Sequence, residues 1–424
     1  MRWTSSWALV LLCLLGQGVA RGQQPDTVAR DTTLETGIQA GESDAEEPRR
    51  RLIHWNEYDF GFTTFRFGGG FLVDVATFAQ DEASREQIAM EPAFKIRDTR
   101  LLLRGRFKTR RPFTWQAGFM YDGPTDSWLV RQTGIMVAVP ELWGHLFIGR
   151  AKEGISLNKV MTGYDGWSME RFTFTDAAVP LLADGVKWLG YLPNRHLLWN
   201  VGLFTDWLSE GQSFSSYDHQ FTLRVAWVPL VSDSTGTLLH IGVNARTGQA
   251  NEGQLQLRSR PEAFIAPYFI DTGKFPARSS RLGGLEAFYR PGPWLFGSEY
   301  YLERVNSPET GDPLFHGGDI FVAWLITGET RSYNTVGGYF RAVSPARTVF
   351  EGGPGAWEAL LRFSYSDFKD GTVDGGTFWR ITPMINWHLS DNARFELAYG
   401  YGKLDRFDTS GATQFLQSRL QLQF

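Results

Sequence analysis

Between residues 97 and 108 the chain reads RDTRLLLRGRFK, with Asp98, Arg100, Arg104, Arg106 and Lys108 at the even positions. Leu101, Leu103 and Phe107 take odd ones. A two-residue period is that of a β-strand, whose successive side chains point to opposite faces. If the odd face meets an apolar medium, four cations and one carboxylate line up on a wet face. Guanidinium suits the holding of oxyanions, because it stays charged and offers several donors. The same period turns Arg150, Lys152, Arg224, Arg246, Arg362 and Arg380 inward. Together they make a staircase along which an anion can exchange partners without being trapped. In the competing reading each inward arginine pairs with an inward carboxylate, for which Glu286, Glu299, Glu303 and Glu358 are available.

Other chemistry finds little support. The seven histidines, His54, His145, His196, His219, His240, His316 and His388, show no metal-ligand spacing. HExxH, GxSxG and a phosphate-cradling glycine loop are absent from the sequence. We therefore expect no metal, no cofactor and no enzymatic activity. A net charge of −4 makes no case for nucleic acid as a partner.

The elements that must position the cations follow from composition and period. Residues 1–20 read as a secretory signal: Arg2, an apolar run from Trp7 to Leu15, and small residues at Gly18-Val19-Ala20. Cys13, the single cysteine, lies in that run, so the mature chain is expected to have none, which excludes disulfides and thiolate metal sites. Residues 21–57 are polar and acidic and read as a disordered periplasmic lead. Aromatics make up 15% of the chain and glycine numbers 46, yet no apolar run after the signal approaches the roughly 18 residues of a spanning helix.

Alternation recurs instead. Trp379, Ile381, Ile385, Trp387 and Leu389 oppose Arg380, Thr382, Asn386 and His388. Trp357, Ala359, Leu361, Phe363 and Tyr365 oppose Glu358, Arg362 and Ser364, with Leu360 the one apolar exception. Segments near 64–79, 96–107, 113–121, 127–138, 143–152, 183–192, 196–206 and 219–229 read as strands. So do 236–246, 281–290, 294–304, 317–327, 357–367, 377–389, 393–403 and 413–424. The expected fold class is all-β: a transmembrane antiparallel β-barrel of about 16 strands over residues 58–424. Pro383 lacks a ladder donor and should mark a bulge or a local break. Trp128, Trp188, Trp199, Trp227, Trp379 and Trp387 read as interfacial girdle or lipid face. The alternating end SRLQLQF should pair with the first strand, since a closed barrel has no edge. Three connections, about 153–182, 247–280 and 328–356, are long enough to fold into the lumen.

The stretch GHLFIGRAKEGISLNKVMTGYDGWSMERFTFTDA (144–177) resembles the phosphate-selective porins O and P in Gly149, Arg150, Lys152, Glu153, Ser156, Leu157, Met169, Glu170 and Arg171. GGLEAFYRPGPWLFGSEYYLERV (283–305) and FVAWLITGETRSYN (321–334) are similar to two further passages of that family. The resemblance implies a sixteen-stranded homotrimeric barrel in the outer membrane of a Gram-negative-type cell, surrounded by outer-membrane lipid. It also implies an anion-conducting pore, with phosphate as a candidate solute, narrowed by two outer loops and a periplasmic segment. It places Lys159 in the constriction and Arg171 beside it. The expected function is a passive channel for small anions, phosphate or polyphosphate among them. Two readings compete: a non-conducting structural or binding barrel plugged by its long loops, and a soluble secreted β-sandwich.

Overall fold

The computed structural model describes residues 57–424 apart from 112, 123–125, 162, 206 and 208–216. The expected signal (1–20) and nearly all of the expected acidic lead (21–57) lie outside the described residues. Sixteen antiparallel strands close into a barrel. The first eight are β1 (Thr64–Gln80), β2 (Ala93–Phe107), β3 (Phe113–Asp122), β4 (Ser127–Val130 continued by Thr133–Val139), β5 (Gly144–Ala151), β6 (Ala183–Leu192), β7 (Leu197–Thr205) and β8 (Tyr217–Ser232). The rest are β9 (Thr237–Ala250), β10 (Ser279–Pro291), β11 (Trp294–Asn306), β12 (Leu314–Leu325), β13 (Ala356–Asp370), β14 (Val373–Ser390), β15 (Ala393–Arg406) and β16 (Thr409–Gln423). Every segment read from the alternation is a strand.

Closure is made by β16 on β1, from Gly70↔Gln423 to Gln80↔Thr413. Phe424 continues the ladder: its N–H donates to Gly69 O and its O accepts from Gly69 N, both at 3.0 Å. In lipid every backbone group must be satisfied within the protein, so an open edge has no place there. Pro383 pairs with Leu361 on β13 in unbroken register. Toward β15 the ladder is open between Ile381↔Tyr401 and Met384↔Ala398, so the missing N–H gives a local break and no bulge.

The outer face carries the apolar residues, among them Leu285, Ile320, Leu361 and Ile381, all exposed. Register partners stack as indole pairs near the short turns: Trp294 on Trp324 at 5.1 Å and Trp357 on Trp387 at 4.9 Å. That is the position of an interfacial girdle.

The connection from β1 to β2 holds a short helix, α1 (Glu82–Gln87), tied to β16 by Ser84 Oγ and Thr413 Oγ1 at 2.7 Å. Three longer segments turn into the lumen. Residues 152–182 carry α2 (Leu157–Val160) and α3 (Thr173–Ala178). Residues 251–278 form two short strand pairs, and 326–355 hold a third, Tyr333–Asn334 with Tyr339–Phe340. Their apolar side chains meet inward aromatics of the wall. Trp167 is fully buried and stacks on Phe321 at 4.5 Å, with Phe288 and Phe340 at 5.6 and 6.2 Å. Phe172 and Phe174 stack on Tyr301, and Phe269 meets Phe378 and Phe415. Leu360, the apolar exception in its strand, is buried in the Trp167 cluster.

The core of this barrel therefore lies inside it, mainly against β8–β16. On β2 and β3, by contrast, the inward Arg104, Arg106 and Gln116 are only half-buried.

Trp167→Ala should open a cavity in the inner core and weaken it by about 3–5 kcal/mol. Amide exchange should then rise across residues 157–172 while the strands keep their protection. Equal loss of protection in the strands would contradict a core that belongs to the inward segments.

Candidate functional site

Alternation fails at one point of β2. Against β1 the register runs Leu72↔Asp98 and then Val73↔Ile96, so Arg97 is the extra residue of a bulge. Although its position is odd, its guanidinium reaches the lumen and grips Glu170 of the first inward segment. Nε donates to Oε1 at 2.8 Å and Nη2 to Oε2 at 3.2 Å. The same carboxylate accepts from Arg419 of β16, whose Nε and Nη2 also donate to Asp74 of β1 at 2.6 and 2.7 Å. Arg100 donates from Nε to Asp98 Oδ2 at 2.8 Å and lies over the Tyr164 ring, 4.4 Å from its centre. Tyr164 in turn donates to Asp98 Oδ1 at 3.2 Å. Its ring presses on Gly70, where a Cβ would stand 2.4 Å from ring atoms. Glycine at position 70 is thus needed for close approach of the inward segment to the wall.

These groups enclose a cavity of about 40 Å³ lined by Arg97, Arg100, Arg171, Arg419 and Glu170, with Gly163, Gly166 and Ser168 from the same inward segment. Four guanidinium groups face it against one carboxylate. Arg100 Nη1 is buried there with no hydrogen-bond partner among the described residues. Arg171, half-buried, donates from Nε to Asn158 O at 2.8 Å. A buried donor left unspent costs about 1–3 kcal/mol, and more when it is charged.

The electrostatics of the inward segment fit that surplus. Burial pushes the Glu170 carboxyl up, but Arg97 and Arg419 outweigh it and hold the group well below the usual carboxylate range. Burial lowers Lys159 to about 8, with Asp176 offsetting part of the shift. Glu153, at the root of the segment, is pushed up to about 7 by burial, against Arg246 and Lys159.

The remaining cations foreseen from the period all point inward, and most are bonded to the inward segments. Arg150 donates to Asp184 and to Val130 O at 2.8 and 2.7 Å. Lys152 donates to Val160 O and Met161 O. Arg224 holds Glu286 at 2.8 Å and Gly338 O at 2.7 Å. Arg246 holds Glu303 at 2.7 Å and Ala178 O at 2.6 Å. Arg362 grips Glu262 and the Glu170 carbonyl, and Arg380 the carbonyls of Pro261 and Glu262. Lys159 is buried with its Nζ 3.6 Å from Asp176. Arg104 and Arg106 lie further along β2, where the lumen is wetter. The cavity thus brings together Arg100 and Arg171 from the foreseen set and adds Arg97 and Arg419. Arg419 sits on the polar face of the end strand SRLQLQF. Arg97 was hidden by the bulge.

Residues 65–424 match the family described as phosphate-selective porin O and P. The chain belongs to that family. Over 270 residues it is 29% identical to an uncharacterized protein of Caulobacter vibrioides, covering 61% of this chain and 52% of that one. Over 217 residues it is 24% identical to Porin O of Pseudomonas aeruginosa, covering 44% and 48%. The chain spans about half the length of these curated relatives. Among solved structures, outer-membrane OmpT of Vibrio cholerae superposes with a TM-score of 0.55 at 11% identity, over 87% of this chain and 100% of that one. An anion-selective porin from Comamonas acidovorans gives 0.54 at 12% identity, over 85% and 100%. The shared fold is the sixteen-strand barrel, and this porin-family protein resides in the outer membrane.

Glu153 links the inward segment to pH. The folded chain holds its proton to about pH 7, whereas an ordinary glutamate releases it near 4.5. Between those values the folded state binds more protons, so stability should fall as pH rises, by at most about 3 kcal/mol. Glu153→Gln should flatten the melting midpoint across that window. A slope equal to that of the unaltered protein would assign the effect to another group.

Proposed function

We propose that this porin-family barrel is a passive channel, not an enzyme, and that it conducts small anions along the β1–β4 side of its lumen, with phosphate a candidate solute. The observation that carries this reading is the cavity at the first inward segment, with its four guanidinium groups and the unspent Arg100 Nη1. From there the inward Arg104 and Arg106 continue toward the short-turn end, which in outer-membrane barrels is periplasmic. Arg100, Arg97, Arg171, Arg104 and Arg106 form the anion pathway. Lys152, Arg224, Arg246, Arg362 and Arg380 serve mainly to hold the inward segments in place, and Arg150 ties neighbouring strands of the wall through Asp184 and Val130 O. Lys159 contributes charge near the constriction below about pH 8.

The small size of the cavity favours a second reading, a barrel closed by its inward segments. Single-channel recording in a planar bilayer under a potassium chloride gradient, followed by phosphate titration, separates the two. A folded barrel without current would establish the closed reading. A cation-selective current would end the anion reading.

A homotrimer fits the low wall of β3, β5, β6 and β7, strands of 8–10 residues against 16 in β8 and 18 in β14. The exposed Phe119, Ile148, Val186 and Leu203 of these strands supply an apolar face for a second copy. OmpT of Vibrio cholerae, which shares the fold, has a trimer form.

Charge-assisted hydrogen bonds set the scale of the expected effects. Arg100→Gln and Arg171→Gln should each weaken block by phosphate roughly 10-fold or more and move the reversal potential toward cations. Arg224→Gln should lower the melting midpoint and leave selectivity unchanged. The opposite pattern in these variants would exchange the two assignments.

A further inference from the structure

Two arginines stand directly opposite each other on the outer surface of the barrel. Arg281 of β10 is the register partner of Arg304 of β11, and both are exposed. Like charges at opposed positions of neighbouring strands repel, so such a pair needs a compensating anion. Neither arginine has an ion-pair partner among the described residues. Elsewhere on the same rim charge is balanced, as where Lys369 meets Asp405 at 3.0 Å and Asp374 at 3.7 Å.

The surroundings of the pair are divided. Toward the loop end the next outward row is polar, Gln249, Ser279 and Asn306. Toward the membrane it is apolar and partly hollow. Ala245 pairs with Gly283, and Gly283 with Leu302. A Cβ built on Gly283 would meet nothing within 4 Å, and Leu285 beyond it is 65% exposed. The arginines therefore sit where the apolar band ends, above the side-chain-free surface at Gly283. Long loops of outer-membrane barrels face the outside, which places this boundary in the outer leaflet.

We propose that Arg281 and Arg304 form a binding site for a phosphorylated lipid headgroup of the outer leaflet, the phosphate bridging both guanidinium groups and an acyl chain lying over Gly283. Guanidinium pairs phosphate through parallel N–H donors, and cations at headgroup level attract anionic lipid. The site lies on the opposite face of the wall from the lumen and does not depend on what the lumen conducts.

The test is native mass spectrometry of the full chain in detergent, with bisphosphorylated lipid A as probe and phosphatidylethanolamine as the comparison lipid. Lipid A should remain bound at collision energies that strip phosphatidylethanolamine. The Arg281→Gln/Arg304→Gln variant should retain it roughly 20-fold less. Arg281→Lys/Arg304→Lys, which keeps the charge, should retain a substantial part. Heat-modifiable gel mobility verifies folding, and in the unaltered protein rising salt should release lipid A. Equal retention by the glutamine variant, equal retention of both lipids, insensitivity to salt, or displacement of lipid A by equimolar inorganic phosphate would overturn the proposal.

Discussion

The Glu170 carboxylate lies between two wall arginines that enter from different strands, Arg97 of the β2 bulge and Arg419 of β16. Asp74 of β1 holds Arg419 from the other side. This chain of charges spans β1, β2 and β16 and ties the first inward segment to the seam where the barrel closes. Removing one partner from a buried pair of this kind typically costs about 3–5 kcal/mol, because a charge is left behind. The cavity exists because the clamp holds Glu170, Arg171 and Tyr164 at a fixed distance from the wall. It also explains why the cavity stays cationic: one carboxylate is shared by two guanidiniums, and two further guanidiniums face the same space.

A second anchor works on the opposite side of the lumen by accepting hydrogen bonds at the start of α2. Glu299 of β11 takes the Leu157 N–H at 2.6 Å, the Asn158 N–H at 3.2 Å and the Ser156 hydroxyl at 3.1 Å. Glu286, neutralised by Arg224 and hydrogen-bonded to His240, adds a contact to Leu157 N at 3.2 Å. The acidic side of the lumen thus receives the N–H groups of the segment, while the basic side receives carbonyls and Glu170. A guanidinium can accept a further partner only where the segment has left its donors unspent. Arg100 Nη1 is unspent at the cavity. Arg224 spends all three nitrogens, and Arg246 both Nη groups, on carboxylates, carbonyls and the Tyr217 hydroxyl. Of these two, only the Arg246 Nε is left unspent among the described residues.

Much of the wall was legible beforehand. A strand between lipid and lumen has two unlike environments, so period-two alternation is imposed on the sequence itself, and all sixteen strands could be read from it. The bulge at Arg97 was not legible, because one extra residue leaves no mark on residue types. The inner core left a faint one. Leu360 broke the polar face of its strand, and inward Phe288, Phe321 and Phe415 did the same without being recognised as contacts for a plug. Pro383 was read correctly as a disturbed ladder, and the register shows that the disturbance is a gap on one side.

For this protein the sequence by itself determined the barrel, its closure by the terminal strand and the inward direction of the arginines. These follow from backbone pairing and from the contrast between lipid and water, both local rules repeated along the chain. Only the tertiary structure decided which arginines are occupied and which face open space. Their partners, Glu170, Glu262, Gly338 and Ala178, lie on segments far away in the chain, and whether a guanidinium spends its donors depends on where those segments come to rest.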